Sequence, residues 1–102
     1  WDDTGNSRME IDLLVVNSDI AVVVECKSHL SIEDVKDQRQ RLQEFRSCFP
    51  RYAACRVLGA VAAMVLPKEV GRYAYQQGMF VLAQNGENME VRNDEKFVPR
   101  EW

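Results

Sequence analysis

From residue 9 the chain alternates between apolar and polar positions. In "MEIDLLVV" (9–16), Met9, Ile11, Leu13 and Val15 fall on one side, and Glu10, Asp12, Leu14 and Val16 on the other; a period of two predicts a strand. Asn17, Ser18 and Asp19 supply turn chemistry, and residues 20–27 read as a second strand returning on the first as a hairpin. The period then changes. Ile32, Val35, Leu42, Phe45 and Phe49 recur at helical spacing behind Ser31 and Asp34, which stand at capping-box separation, and Pro50 helps to end the helix.

Residues 55–66 are apolar on both faces, as a central strand is. The strand–helix–strand crossover places this strand parallel to the second. Pro67 opens a second helix, 67–77, which Gly78 can end in a left-handed conformation. "MFVLA" (79–83) predicts a strand, Asn85 and Gly86 the tip of a turn, and "MEVR" a returning edge strand. The expected fold is a single α/β domain over 1–102, with its core at 9–92 and a mixed central sheet flanked by helices in the order β-β-α-β-α-β-β. Residues 1–8 read as a polar lead-in, and the charged stretch 93–102 carries no pattern that places it.

Composition narrows the class. Apolar residues are 46% and charged residues 28% of 102, the balance of an ordinary soluble domain. The longest apolar run, 57–66, is half of what a spanning helix needs, so no membrane is expected. The three cysteines, Cys26, Cys48 and Cys55, form no C-x-x-C pair, and the lone histidine, His29, gives no zinc pattern. They read as reduced thiols of a cytoplasmic protein. The chain opens on Trp1 instead of methionine, which points to a piece of a longer protein.

A net charge of −3 argues against a protein that simply coats nucleic acid. It leaves room for an enzyme whose carboxylates gather around a cation. Five of the nine arginines, Arg39, Arg41, Arg46, Arg51 and Arg56, fall close together. They suit either a solvated helix face balanced by Glu33, Asp37 and Glu44 or a surface that contacts phosphates.

The candidate chemistry lies in "VVVECKS" (22–28), a β-branched strand that ends in two opposite charges. Residues two apart in a strand share a face, so Glu25 and Lys27 point one way, while Cys26 points the other way with Val22 and Val24 as a small core residue. A two-residue turn of Ser18 and Asp19 puts Asp12 across from Glu25 and Glu10 across from Lys27. Facing carboxylates destabilise a sheet unless a cation or a proton intervenes. A three-residue turn would instead divide the two carboxylates between opposite faces.

Two carboxylates and the Cys26 main-chain carbonyl make an oxygen-rich, incomplete shell suited to Mg²⁺, or alternatively Mn²⁺. Such an ion activates water and neutralises charge developing on a phosphodiester. Lys27 stands where it can orient that water or stabilise the phosphoryl oxygens.

"EIDLLVV" followed by "VVVECKS" and an amphipathic helix resembles the PD-(D/E)XK nuclease superfamily. Its core carries an aspartate on one strand and E-x-K on the hairpin partner, matched here by Asp12, Glu25 and Lys27. "FPRY", "VLGAVAAMVLPKEV" and "QQGMFVLAQNGENMEV" are more closely similar to a branch found in cyanobacteria and archaea, often attached to an upstream coiled coil. The resemblance spans residues 9–92. It implies a restriction-endonuclease-like fold and Mg²⁺-dependent hydrolysis of phosphodiesters in DNA rather than RNA, with Asp12, Glu25 and Cys26 as metal ligands and Lys27 as the catalytic lysine. It also allows a homodimer.

Departures accompany the match. Ile11 stands at the name-giving proline, and the helix that usually precedes the first strand is missing or reduced to residues 1–8. Glu10 and Gln38 are auxiliary candidates. Glu10 also suits pairing with Lys27 or Arg8, and the position after Gln38 where that pattern expects tyrosine is Leu42. His29 reads as a surface or capping residue, and Trp1 and Trp102 as partner contacts or chain ends. The alternative is a catalytically inactive or weakly active nuclease-fold module for nucleic-acid binding or protein assembly.

Overall fold

The computed structural model describes residues 11–102. In chain order the elements are β1 (Leu13–Asn17), β2 (Ile20–His29), α1 (Ile32–Cys48), β3 (Arg56–Val65), α2 (Lys68–Gln76), β4 (Phe80–Asn85) and β5 (Asn88–Val91), with a 3₁₀ turn at Pro50–Tyr52. One five-stranded sheet keeps the strands in that order. β1 with β2 and β4 with β5 are antiparallel hairpins, and β3 runs parallel to both β2 and β4. The fold is mixed α/β. Trp1, Arg8, Met9, Glu10 and the rest of the lead-in lie outside the described residues.

Local chemistry explains the boundaries. Ser18 and Asp19 close the first hairpin between the Asn17–Ile20 pair, with Ser18 at a φ of 54°. In the second hairpin Asn85 stays in the ladder opposite Asn88, so Gly86 and Glu87 form the tip, one residue later than the sequence suggested. Gly86, at a φ of 65°, holds the first central position, where a type II′ turn wants glycine. The α1 capping box is formed: Asp34 N–H donates to Ser31 Oγ (3.1 Å) and Ser31 N–H to Asp34 Oδ2 (2.9 Å). Gly78 follows α2 with a φ of 81°, the left-handed stop its sequence position predicts.

Both helices pack on one face of the sheet. Val23, Val57, Val61, Ala63 and Val81 point into it and meet Val35, Leu42 and Phe45 of α1 and Val70 and Ala74 of α2 in one buried cluster. Burying each of the larger side chains contributes about 1.5–3 kcal/mol. Gly59 lets α1 come close: a Cβ there would lie 2.4 Å from Leu42 Cδ1.

Among the described residues no helix covers the opposite face, where Val24, Leu58 and Ala60 are nonetheless buried and Phe97 packs on Phe80, so the expectation of flanking helices holds on one side only. Leu13, Val15, Met64, Met89 and Val91 are about half exposed there. The reading of Cys26 as a core residue is corrected by this arrangement. Its side chain does lie on the side of Val22 and Val24, as strand alternation requires, but no layer of helices covers that side and Cys26 is exposed.

The unpatterned C-terminal stretch docks onto the fold. Phe97 packs on Tyr75 and Phe80, with ring centroids 5.0 Å away in each case. Arg100 N–H donates to Gly78 C=O (3.0 Å) and Trp102 N–H to Val57 C=O (2.8 Å). Trp102 then packs against the core, with the Arg100 guanidinium over its ring at 3.9 Å. No helix among the described residues is long and apolar enough to cross a membrane.

Candidate metal centre

The site is built where the β1–β2 ladder stops. Main-chain pairing ends at Leu13 opposite Val24, and continuing that register by one residue sets Asp12 beside Glu25, as the two-residue turn predicts. At this point the Asp12 side chain takes over from the backbone: Cys26 N–H donates to Asp12 Oδ2 at 2.9 Å. The N–H and C=O of a strand residue point to the same neighbour, so the Cys26 carbonyl also faces the Asp12 side.

Glu25 is buried at 4% exposure, under the edge of α1. Lys27 shares its face, with Nζ 3.5 Å from Glu25 Oε2 and 3.9 Å from Asp34 Oδ1, and its side chain remains 42% exposed. Arg41, from the third turn of α1, donates from Nη1 to Glu25 Oε1 at 3.0 Å. Burial pushes the Glu25 carboxyl above its usual range, Arg41 pulls it back, the charge of Asp12 raises it and Lys27 lowers it, leaving a net rise. The Cys26 thiol is also pushed up, first by desolvation and then by the Asp12 and Glu25 charges.

A family profile described as "Domain of unknown function (DUF8196)" matches residues 4–91. The chain belongs to the DUF8196 family. No curated protein and no solved structure matches it.

In this DUF8196 domain, then, the hairpin brings Asp12, Glu25, the Cys26 backbone and Lys27 together. The donors are all oxygen, which suits a hard cation that keeps several waters. Among the described residues no group of three His, Cys, Asp or Glu side chains is placed to hold a metal ion, so the protein's share would stop at two carboxylates and one main-chain oxygen. The two cations on Glu25 hold its charge in the meantime.

The auxiliary candidates fare differently. Glu10 lies outside the described residues. Gln38 is buried on the sheet-facing side of α1, and its Nε2 donates to Val23 C=O (2.9 Å) and Ala60 C=O (3.1 Å). That commits its amide nitrogen to the sheet backbone instead of to Asp12, Glu25 or Lys27. His29 is exposed at the end of β2.

Arg41 and Asp34 are neighbours of the site that the sequence reading passed over. In sequence Arg41 belongs to a cluster that suits either a solvated helix face or a phosphate-contacting surface, and Asp34 is accounted for by its cap. The available signal was spacing: a helix antiparallel to its strand brings its third turn back over the strand's later residues.

Proposed function

We propose that this domain is a Mg²⁺-dependent nuclease of the PD-(D/E)XK type, restriction-endonuclease-like in fold and acting on DNA in preference to RNA. The observation that carries the reading is the Asp12 bond to Cys26 N–H, which fixes the aspartate beside Glu25 on the face that also bears Lys27. Asp12, Glu25 and the Cys26 carbonyl would hold the ion. When bound, Mg²⁺ or Mn²⁺ supplies an activated water and neutralises charge developing on the phosphodiester.

The chain's own residues have distinct roles. Asp12 and Glu25 concentrate negative charge at one point on the sheet. Arg41 fixes the Glu25 carboxylate through Oε1, leaving Oε2 toward Lys27. Lys27, half in solvent, reaches the phosphate side of the site, where its ammonium can orient the attacking water and stabilise the phosphoryl oxygens. Three free cysteines are in keeping with a cytoplasmic setting.

The test is cleavage of plasmid, branched DNA and RNA with Mn²⁺ against EDTA. Wild type is expected to cut DNA only with metal, and Lys27→Ala to lose that activity. Cutting that survives Lys27→Ala would place the activity elsewhere.

One observation favours a second reading, an inactive module for binding or assembly: Glu25 already has a cation near each oxygen, Arg41 at 3.0 Å and Lys27 at 3.5 Å. An ion pair so satisfied can serve structure alone. Under that reading metal neither binds nor promotes cleavage.

A further inference from the structure

The five clustered arginines have separate fates. Arg41 binds Glu25, Arg46 donates to the carbonyls of Trp102 and Ala53, Arg56 pairs with Glu101 at 3.0 Å, and Arg51 lies over the Tyr52 ring. Arg39 is the exception: its Nε is buried and has no hydrogen-bond partner among the described residues. A buried guanidinium N–H left without an acceptor is costly, and such an atom sets Arg39 apart from the other four arginines.

Arg39 lines a cleft of about 350 Å³ between α1 and α2, with Lys36, Gln40, Gln43 and Tyr73. At roughly 30 Å³ per water this holds about a dozen waters, room for a phosphate group and its hydration. Lys36, Arg39, Gln40 and Gln43 recur at three and four along one face of α1. The described lining is rich in donors and includes no carboxylate. Gln40 spends one amide bond on Glu44, and among the described residues Lys36 has only an exposed contact with Glu33 at 3.8 Å, which holds it weakly.

We propose that this α1–α2 cleft binds a phosphate group, with the Arg39 guanidinium as its principal contact. An arginine fork matches two phosphate oxygens at once, and Arg39 brings its guanidinium to the lining of the cleft. Lys36 adds a second positive charge, and the amides and phenol supply neutral donors. The phosphate belongs either to a nucleic-acid backbone or to a free phosphate. The site lies on the helix layer, apart from Asp12 and Glu25, and does not depend on the metal reading.

The experiment is run in EDTA, which keeps it independent of any metal. Inorganic phosphate is titrated while the Arg39 Nε–H and the Gln40 and Gln43 side-chain amides are followed by NMR. In parallel, a short fluorescein-labelled single-stranded oligonucleotide is titrated by anisotropy at several salt concentrations. Wild type is compared with Arg39→Gln and Arg39→Lys, whose far-UV circular dichroism should match wild type because all three residues favour helix.

The expected result is a saturable phosphate shift at Arg39 that Arg39→Gln abolishes and Arg39→Lys weakens. If the site takes a nucleic-acid backbone, Arg39→Gln also weakens the oligonucleotide several-fold and reduces its salt slope by about 0.7. Loss in the oligonucleotide arm alone supports the site with a backbone phosphate as ligand, and loss in the phosphate arm alone supports it with a free phosphate. No saturable shift at Arg39, together with unchanged oligonucleotide affinity in Arg39→Gln, overturns the proposal.

Discussion

At the scale of single residues, the alternation of the strand decides two outcomes. Glu25 faces the helices and Cys26 faces the uncovered side, and each position carries a prediction. The folded Glu25 carboxyl has its pKa raised above the ordinary 4.5, so between the unfolded and folded values the native chain holds more protons than the unfolded one. The associated stability is present in full below the unfolded pKa and lost as pH rises through the folded value. Chemical denaturation in EDTA should therefore show wild type losing stability relative to Glu25→Gln as pH rises through that window. A constant difference would show that Glu25 is not desolvated as the structure has it. For Cys26, a Cys48→Ser/Cys55→Ser chain should react with a thiol reagent while folded, slowly at neutral pH and faster as the raised thiol pKa is approached. Reaction only after denaturant is added would mean that the apolar sheet face is covered.

Among the elements, what could be read in the sequence was whatever local chemistry specifies. The Ser31–Asp34 cap, the Gly78 stop and the two-residue Ser18–Asp19 turn all formed as their side chains require, and that turn fixed the register that sets Asp12 beside Glu25. What could not be read depends on partners distant in the chain. Residues 93–102 have no periodicity because they dock through single contacts, Phe97 on Tyr75 and Trp102 on the Val57 carbonyl. Arg41 finds Glu25 only once α1 lies on the sheet. Cys26 was misassigned because an apolar strand face looks the same in sequence whether or not a layer covers it. The α1 packing gives an element-scale prediction. Gly59→Ala places a methyl group against Leu42, and overpacking of that kind costs about 1–3 kcal/mol. Thermal or denaturant unfolding should show this loss, and restore part of it in Gly59→Ala/Leu42→Val; an unchanged midpoint for the single variant would contradict the close approach of α1 to β3.

For the whole molecule, the decisive asymmetry is a sheet with both described helices on one face and an apolar surface on the other. With strands about 4.8 Å apart and about 3.3 Å per residue, that face covers roughly 450 Å², the scale of the largest apolar patch on a monomer. Two copies joined there would bury about 900 Å², the weak end of specific interfaces. If the homodimer that the family resemblance allows forms through this face, it should be weak and concentration-dependent in sedimentation, and Met64→Glu should abolish it. A dimer indifferent to Met64→Glu would have to use another surface. The central claim concerns the other side of the sheet, where Asp12, Glu25 and Lys27 meet. Calorimetric titration with Mn²⁺ tests it most directly. Wild type should bind the ion, with affinity falling as Glu25 takes up its proton at a pH above the ordinary carboxylate range, and Asp12→Asn should lose the binding. Equal binding by Asp12→Asn and wild type, or none by either, would contradict the assignment of a metal centre to this hairpin.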